Sequence, residues 1–103
     1  SDVTALSGSG PAYFCRMLEA MIASAVERGF DADAARRLAV QTMAGTAKLL
    51  ESGEVSPSEL RVRVTSKGGT TYAALCAMDD TGFDKSIAQA YTAARLRSDE
   101  LGK

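Results

Sequence analysis

The sequence of 103 residues predicts an all-α fold, a bundle of about five helices that forms a single domain over residues 1–103. Apolar residues recur at the spacing of three to four residues that one face of a helix requires. Glycine, proline and capping residues separate five such segments. No segment alternates apolar and polar residues as a half-buried strand does. Hydrophobic residues make up 46% of the chain, which is enough for a core.

The first predicted helix, about residues 10–29, is apolar nearly all round. Between Tyr13 and Val26 only Arg16 and Glu19 interrupt its apolar and small residues. A chain this short has little other surface with which to cover such a helix. We therefore expect a dimer or higher oligomer with helices packed across a two-fold interface, in preference to a monomer that holds the helix inside its own bundle.

The other four predicted helices follow from their caps. Asp31 or Asp33 caps the second helix. Ser56, Pro57 and Glu59 supply a cap, a first-turn proline and a capping-box acid for the third. The four predicted ranges are 33–52, 56–64, 70 or 71–80, and 84–101.

Composition excludes several classes of function. The net charge is -1, from 12 Lys and Arg and 13 Asp and Glu that are mixed along the chain. A nucleic-acid surface would need a basic stripe, so we expect no nucleic-acid partner. We also expect no membrane span and no signal peptide. The chain contains no histidine, which removes most zinc sites and every Ser-His or Cys-His catalytic arrangement, and we predict no metal site.

The two cysteines predict a reducing environment. Cys15 and Cys76 each lie inside a predicted helix and form no CxxC pair. We expect both to be reduced core residues of a cytoplasmic protein. The opening SDVTALSGSG lacks an initiator methionine and is expected to be a domain boundary.

The segment VTSKGGTTYAAL, residues 64–75, places two glycines ahead of good helix formers. It is not a P-loop, because the lysine precedes the glycines. Successive N–H groups from Gly68 to Thr71 can converge on one point, where the helix dipole favours negative charge. Glycine also lets a ligand approach the backbone without a Cβ clash. The residues are equally compatible with a small carboxylate or phosphate site and with a simple capped turn.

The segment LSGSGPAY, residues 6–13, fits neither of two catalytic motifs. A nucleophile elbow fails, since Ser7 stands where the first glycine should be and no histidine is present. A dinucleotide fingerprint fails because Tyr13 occupies the position of its third glycine and no strand precedes it. A glycine-rich helix entrance remains, either structural or in contact with an anion or cofactor edge.

LSGSGPAY, SGEVSPSELRVRV and VTSKGGTTYAAL together resemble the C-terminal domain of the pyrroline-5-carboxylate reductase family, over essentially the whole chain. The resemblance implies reduction of the C=N bond of 1-pyrroline-5-carboxylate to L-proline by hydride from NADPH or NADH. It also implies that an N-terminal Rossmann domain holds the cofactor. The helical domain would form an interwoven dimer and supply the substrate site, and dimers would assemble into larger rings.

The same resemblance implies roles for individual residues. Ser66 and the backbone N–H groups of Gly69, Thr70 and Thr71 would hold the substrate carboxylate. The Thr71 hydroxyl would lie near the ring nitrogen, orient the imine and help to stabilise or deliver its proton. Glu54 matches a family acid near that threonine and would be an additional candidate, whose carboxylate would stabilise the protonated iminium. The implied substrate-binding residues are Ser66, Gly68, Gly69, Thr70 and Thr71, and no cofactor-binding residue is implied.

The chain departs from the family pattern in three ways. Lys67 stands where the family usually has proline, and Val62 stands where aspartate is common. No strand–GxGxxG–helix unit is present, so we expect this chain alone to be inactive. Two alternatives remain: a stand-alone helical dimerisation module, and the C-terminal domain of a 3-hydroxyacid-type dehydrogenase, against which TSKGGTT argues.

Overall fold

The computed structural model describes residues 1–102, and these form helices and turns without a strand. The all-α prediction is confirmed, and every predicted helix end lies within about two residues of an observed one. The helices are α1 (Gly10–Glu27), α2 (Ala32–Glu51), α3 (Pro57–Arg63), α4 (Thr70–Thr81) and α5 (Phe83–Leu101).

A π-helical turn at Thr4–Gly8 precedes α1. The Ser9 N–H donates to the Thr4 carbonyl at 2.8 Å, and the Ser7 hydroxyl donates to the Val3 carbonyl at 3.0 Å. This turn was not predicted from the sequence, because a single π turn has no periodic pattern of its own. The LSGSGPAY segment therefore forms the end of the π-helical turn and the start of α1, which favours its structural interpretation.

Two helix ends are defined by a capping side chain and by a glycine. The Asp31 carboxylate caps α2 by accepting a hydrogen bond from the Ala34 N–H at 2.9 Å, as its N-cap position requires. Gly82 ends α4 with a φ of 76°, and the next helix begins immediately after it.

The chain divides into two compact units. The discontinuous unit joins Ser1–Gly10 to the chain from Pro57 onward, and the two-helix unit is Pro11–Ser56. The single-domain assignment stays a prediction.

In the discontinuous unit, α5 packs against both the π-helical turn and α4. Ala5, within the π-helical turn, is fully buried. The Tyr91 hydroxyl donates to the Asp2 carboxylate at 2.6 Å. The segment before α1 is thus held to a helix from the other end of the chain.

The two-helix unit contains an open apolar groove of about 430 Å³, which we call the α1–α2 groove. The buried side chains of the two-helix unit are small: Ala35, Ala39 and Val55. Larger apolar side chains stay exposed, including Phe14 at 54% and Met21 at 46%. The groove is lined by Phe14, Met17, Leu18, Met21, Ala39, Thr42, Met43, Thr46, Ala47 and Leu50.

The cysteine prediction is partly wrong. Both thiols are free, but Cys15 is exposed and Cys76 is half-buried. Cys15 lies on α1, whose apolar surface extends beyond what a single chain covers. The number of apolar residues on a helix does not show whether residues of the same chain bury them.

Candidate functional site

The glycine loop is a tight turn that leads directly into α4. The Gly69 N–H donates to the Ser66 carbonyl at 3.0 Å and closes the turn. Gly68, at the third position of the turn, has a φ of +73°. That left-handed conformation is the one a type II turn requires at this position, and glycine adopts it without steric cost. The first glycine is therefore explained by backbone conformation.

Gly69 is explained by a close approach. It is the N-cap of α4, with extended backbone and no side-chain cap. A Cβ built at Gly69 would lie 2.7 Å from the Ser66 Oγ and 3.2 Å from the Ser66 carbonyl oxygen. Any side chain at this position would therefore displace the Ser66 hydroxyl from its place against the start of the helix.

The first turn of α4 presents backbone donors. The Ala73 N–H makes the first bond back to the N-cap, at 3.1 Å to the Gly69 carbonyl. The N–H groups of Thr70 and Thr71 precede that bond, and no described residue accepts from them. Helix N-termini leave such groups for capping, water or ligands. The Gly69 N–H, which the resemblance also implies as a donor, is already engaged in the turn.

The charge around this turn is positive, although the whole chain carries -1. Residues 60–78 contain Arg61, Arg63 and Lys67 and no acidic residue. The positive end of the α4 dipole adds to these cations. The turn and the first residues of α4 therefore form a short anion-attracting segment with hydroxyl and amide donors.

The structure brings Ser66, Gly68, Gly69, Thr70 and Thr71 together in one turn and helix start. Ser66 and Thr70 are exposed, and the Thr71 side chain is half-buried. Glu54 belongs to the two-helix unit, where it is exposed after α2 and its N–H donates to the Ser52 Oγ at 3.2 Å. Its pairing with Thr71 stays a prediction.

Tyr72, the residue after Thr71, is a feature the sequence analysis missed. A hydrogen bond with the Cys76 side chain, followed by the electrostatic interaction with the same side chain and by desolvation, raises the pKa of Tyr72 above its ordinary 10.0. The signal was present in the sequence, because residues four apart on a helix face each other. Tyr72 therefore stays a neutral phenol beside the candidate site at ordinary pH.

Two further kinds of feature are absent from residues 1–102. None of their helices combines the length and apolar character needed to cross a membrane. No group of three metal-ligating side chains gathers among them.

The helices and the glycine loop define an all-α protein with a candidate anion site at a helix start. The chain belongs to the pyrroline-5-carboxylate reductase dimerisation family, which it matches over residues 1–101. It is 45% identical to a pyrroline-5-carboxylate reductase of Synechocystis over 98% of this chain and 38% of that protein. It is 46% identical to the pyrroline-5-carboxylate reductase of Pseudomonas aeruginosa over 98% of this chain and 37% of that protein.

A solved structure shows the same fold. The Plasmodium falciparum pyrroline carboxylate reductase with NADP bound superposes with a TM-score of 0.93 at 27% identity, over 99% of this chain and 41% of that one. The chain thus spans less than half the length of these relatives.

Proposed function

We propose that this chain is the C-terminal dimerisation and substrate domain of a pyrroline-5-carboxylate reductase, which reduces 1-pyrroline-5-carboxylate to L-proline with NADPH or NADH. The family match over residues 1–101 carries the proposal. The glycine loop supports it, since a turn, a hydroxyl and free helix N–H groups together suit a small carboxylate.

In this proposal the loop binds the substrate carboxylate. The Ser66 hydroxyl and the N–H groups of Thr70 and Thr71 donate to its oxygens. The Gly69 N–H holds the turn in shape through its bond to the Ser66 carbonyl at 3.0 Å. Binding an anion at donors already oriented by a turn and a helix avoids the entropy of ordering flexible side chains.

Thr71 and Glu54 are the proposed catalytic residues. Reduction adds hydride to the carbon of the C=N bond and leaves a proton on its nitrogen. The Thr71 hydroxyl orients that nitrogen and helps to stabilise or deliver the proton. The Glu54 carboxylate stabilises the protonated iminium, which accepts hydride more readily than the neutral imine.

The cofactor does not fit this chain. The sequence contains no strand–GxGxxG–helix unit, and the described residues form no strand. When bound by the rest of such an enzyme, NADPH or NADH supplies the hydride. We therefore expect the isolated chain to show no NADPH-dependent reduction of 1-pyrroline-5-carboxylate, and appreciable turnover by it would contradict this assignment.

The partner is a second copy of the chain, in an interwoven homodimer. The α1–α2 groove supports this, because burying each large apolar side chain stabilises by about 1.5–3 kcal/mol. We further propose that dimers assemble into larger rings. We place the protein in the cytoplasm, where two free cysteines are stable.

An amide chemical-shift titration of the chain with L-proline, with acetate as the control anion, tests the substrate site. We expect saturable shifts centred on Ser66–Thr71 with L-proline and weaker ones with acetate. Ser66→Ala should weaken L-proline binding, whereas Ser58→Ala, an exposed serine of α3, should not. Absence of shifts at high L-proline, or equal weakening by both variants, would contradict the assignment.

A further inference from the structure

Lys67 is the one charged side chain within the turn. It follows Ser66 at the second position, and its side chain is exposed. Proline is favoured at the second position of a type II turn because its fixed φ matches the turn, but many other residues are also compatible with it. Lysine at this position therefore leaves the turn geometry available and adds an ammonium group at its corner.

The ammonium group of Lys67 has no ion-pair partner among the described residues. Their ion pairs involve Ser1, Asp99, Arg37, Asp33, Arg95, Arg97 and Glu100. The nearest acidic residues along the chain are Glu59 and Asp79. A lysine without an internal partner, beside unpaired N–H groups of Thr70 and Thr71, is available to an incoming anion.

We propose that Lys67 is a substrate-specificity residue that attracts the carboxylate bound at Ser66 and the start of α4. The inference rests on the proposed function and adds to it a preference among ligands. Lys67 favours ligands with a free carboxylate over otherwise similar amides. A compact, hydrated ammonium on a flexible stem acts here as a point charge, not as a geometric clamp.

The charge origin of this effect makes it dependent on salt. An exposed ion pair contributes little, so removing the charge should weaken carboxylate binding by about 2- to 5-fold at low ionic strength. At about 1 M salt the screening length falls to about 3 Å, and the difference should vanish. A purely structural role of Lys67 would not show this dependence.

Lys85 provides a matched control. It is an exposed lysine on α5, beyond the far end of α4 (Thr70–Thr81). Twelve helical residues span about 18 Å, which exceeds the screening length of about 10 Å at 0.1 M salt. Lys85→Gln therefore removes the same charge from the same unit without reaching the carboxylate.

The experiment compares L-proline with L-prolinamide by amide chemical-shift titration of the 103-residue chain, at about 0.1 M and about 1 M salt. Lys67→Gln should weaken L-proline binding at low salt only, Lys67→Arg should retain it, and Lys85→Gln should have no effect. L-prolinamide keeps the charged ring nitrogen and lacks the carboxylate, so none of the three substitutions should weaken its binding.

Three outcomes would overturn the inference. One is a Lys67→Gln variant that binds L-proline as tightly as the unsubstituted chain at low salt. Another is a loss of the same size at both salt concentrations. In both cases the proposed substrate site survives, because the unsubstituted chain still binds L-proline. Failure of the unsubstituted chain to bind L-proline would instead remove the proposed site and Lys67's role with it.

Discussion

The α1–α2 groove and the glycine loop at Ser66–Thr71 provide different kinds of interaction. The groove is wide, about 430 Å³, and its lining is almost entirely apolar. The turn is small and polar, and it depends on a φ of +73° at Gly68 and on a 3.0 Å hydrogen bond from the Gly69 N–H. The groove provides apolar surface area, whereas the turn provides hydrogen-bond donors that point in fixed directions.

This difference determines what each region tolerates. Hydrophobic burial is non-directional and scales with area, so the groove should accept apolar exchanges of similar volume. Backbone donors act at fixed positions, so a single added methyl group disturbs the turn. Charge should be harmful in the groove, whereas a small increase in side-chain volume should be harmful in the turn.

The largest expected effect is a charge in the groove. Met43→Glu should raise the dimer dissociation constant by more than about 100-fold, because an uncompensated buried charge costs about 3–5 kcal/mol. Analytical ultracentrifugation across protein concentration measures it. Gln41→Glu, which adds the same charge to α2 outside the groove lining, should leave the dimer intact. A Met43→Glu chain with unchanged association would show that the groove is not the interface.

The next effect is a methyl group in the turn. Gly69→Ala should weaken L-proline binding by about 10-fold or more, because its Cβ displaces the Ser66 hydroxyl and a hydrogen bond to a charged group is worth about 1.5–3 kcal/mol. Titration measures the affinity and circular dichroism the helix content. Gly45→Ala is the control, since a Cβ there meets nothing within 4 Å. Unaltered L-proline affinity in Gly69→Ala would remove Ser66 from the site.

A smaller effect separates the rigidity of the turn from its charge. Lys67→Pro should raise the melting temperature by about 2–6 °C, because proline at the second position of a type II turn restricts the unfolded chain. The same variant should lose the low-salt advantage in L-proline binding. Lys67→Ala should also bind L-proline more weakly at low salt, but its melting temperature should not rise. A lower melting temperature for Lys67→Pro would show that the Ser66–Gly69 turn is not type II.

The smallest effect concerns Tyr72. Cys76→Ala should lower the pKa of Tyr72 towards 10.0, since the thiol that favours the neutral phenol is then absent. The ultraviolet absorbance of the phenolate measures the titration, with Tyr72→Phe identifying its share of the signal. Cys15→Ala, in the other unit, should change nothing. Identical titration curves for Cys76→Ala and the unsubstituted chain would contradict the assigned contact.

Local sequence was enough to predict the helices and their ends. Asp31 caps α2 and Pro57 starts α3, because each position depends on one residue's backbone preference or side-chain reach. The same reasoning placed a possible anion site at the start of α4. It failed for Cys15, which is exposed, because residue type does not show which chain supplies the cover.

The sequence by itself determined that this chain is helical, that α1 needs more apolar cover than a short chain provides, and that two glycines precede α4. Only the tertiary structure decided that Gly68 serves conformation and Gly69 serves a close approach to Ser66. It also decided that the Gly69 N–H closes the turn while those of Thr70 and Thr71 stay available. Local preferences act over a few residues, whereas the availability of a donor depends on where every neighbouring acceptor lies in space.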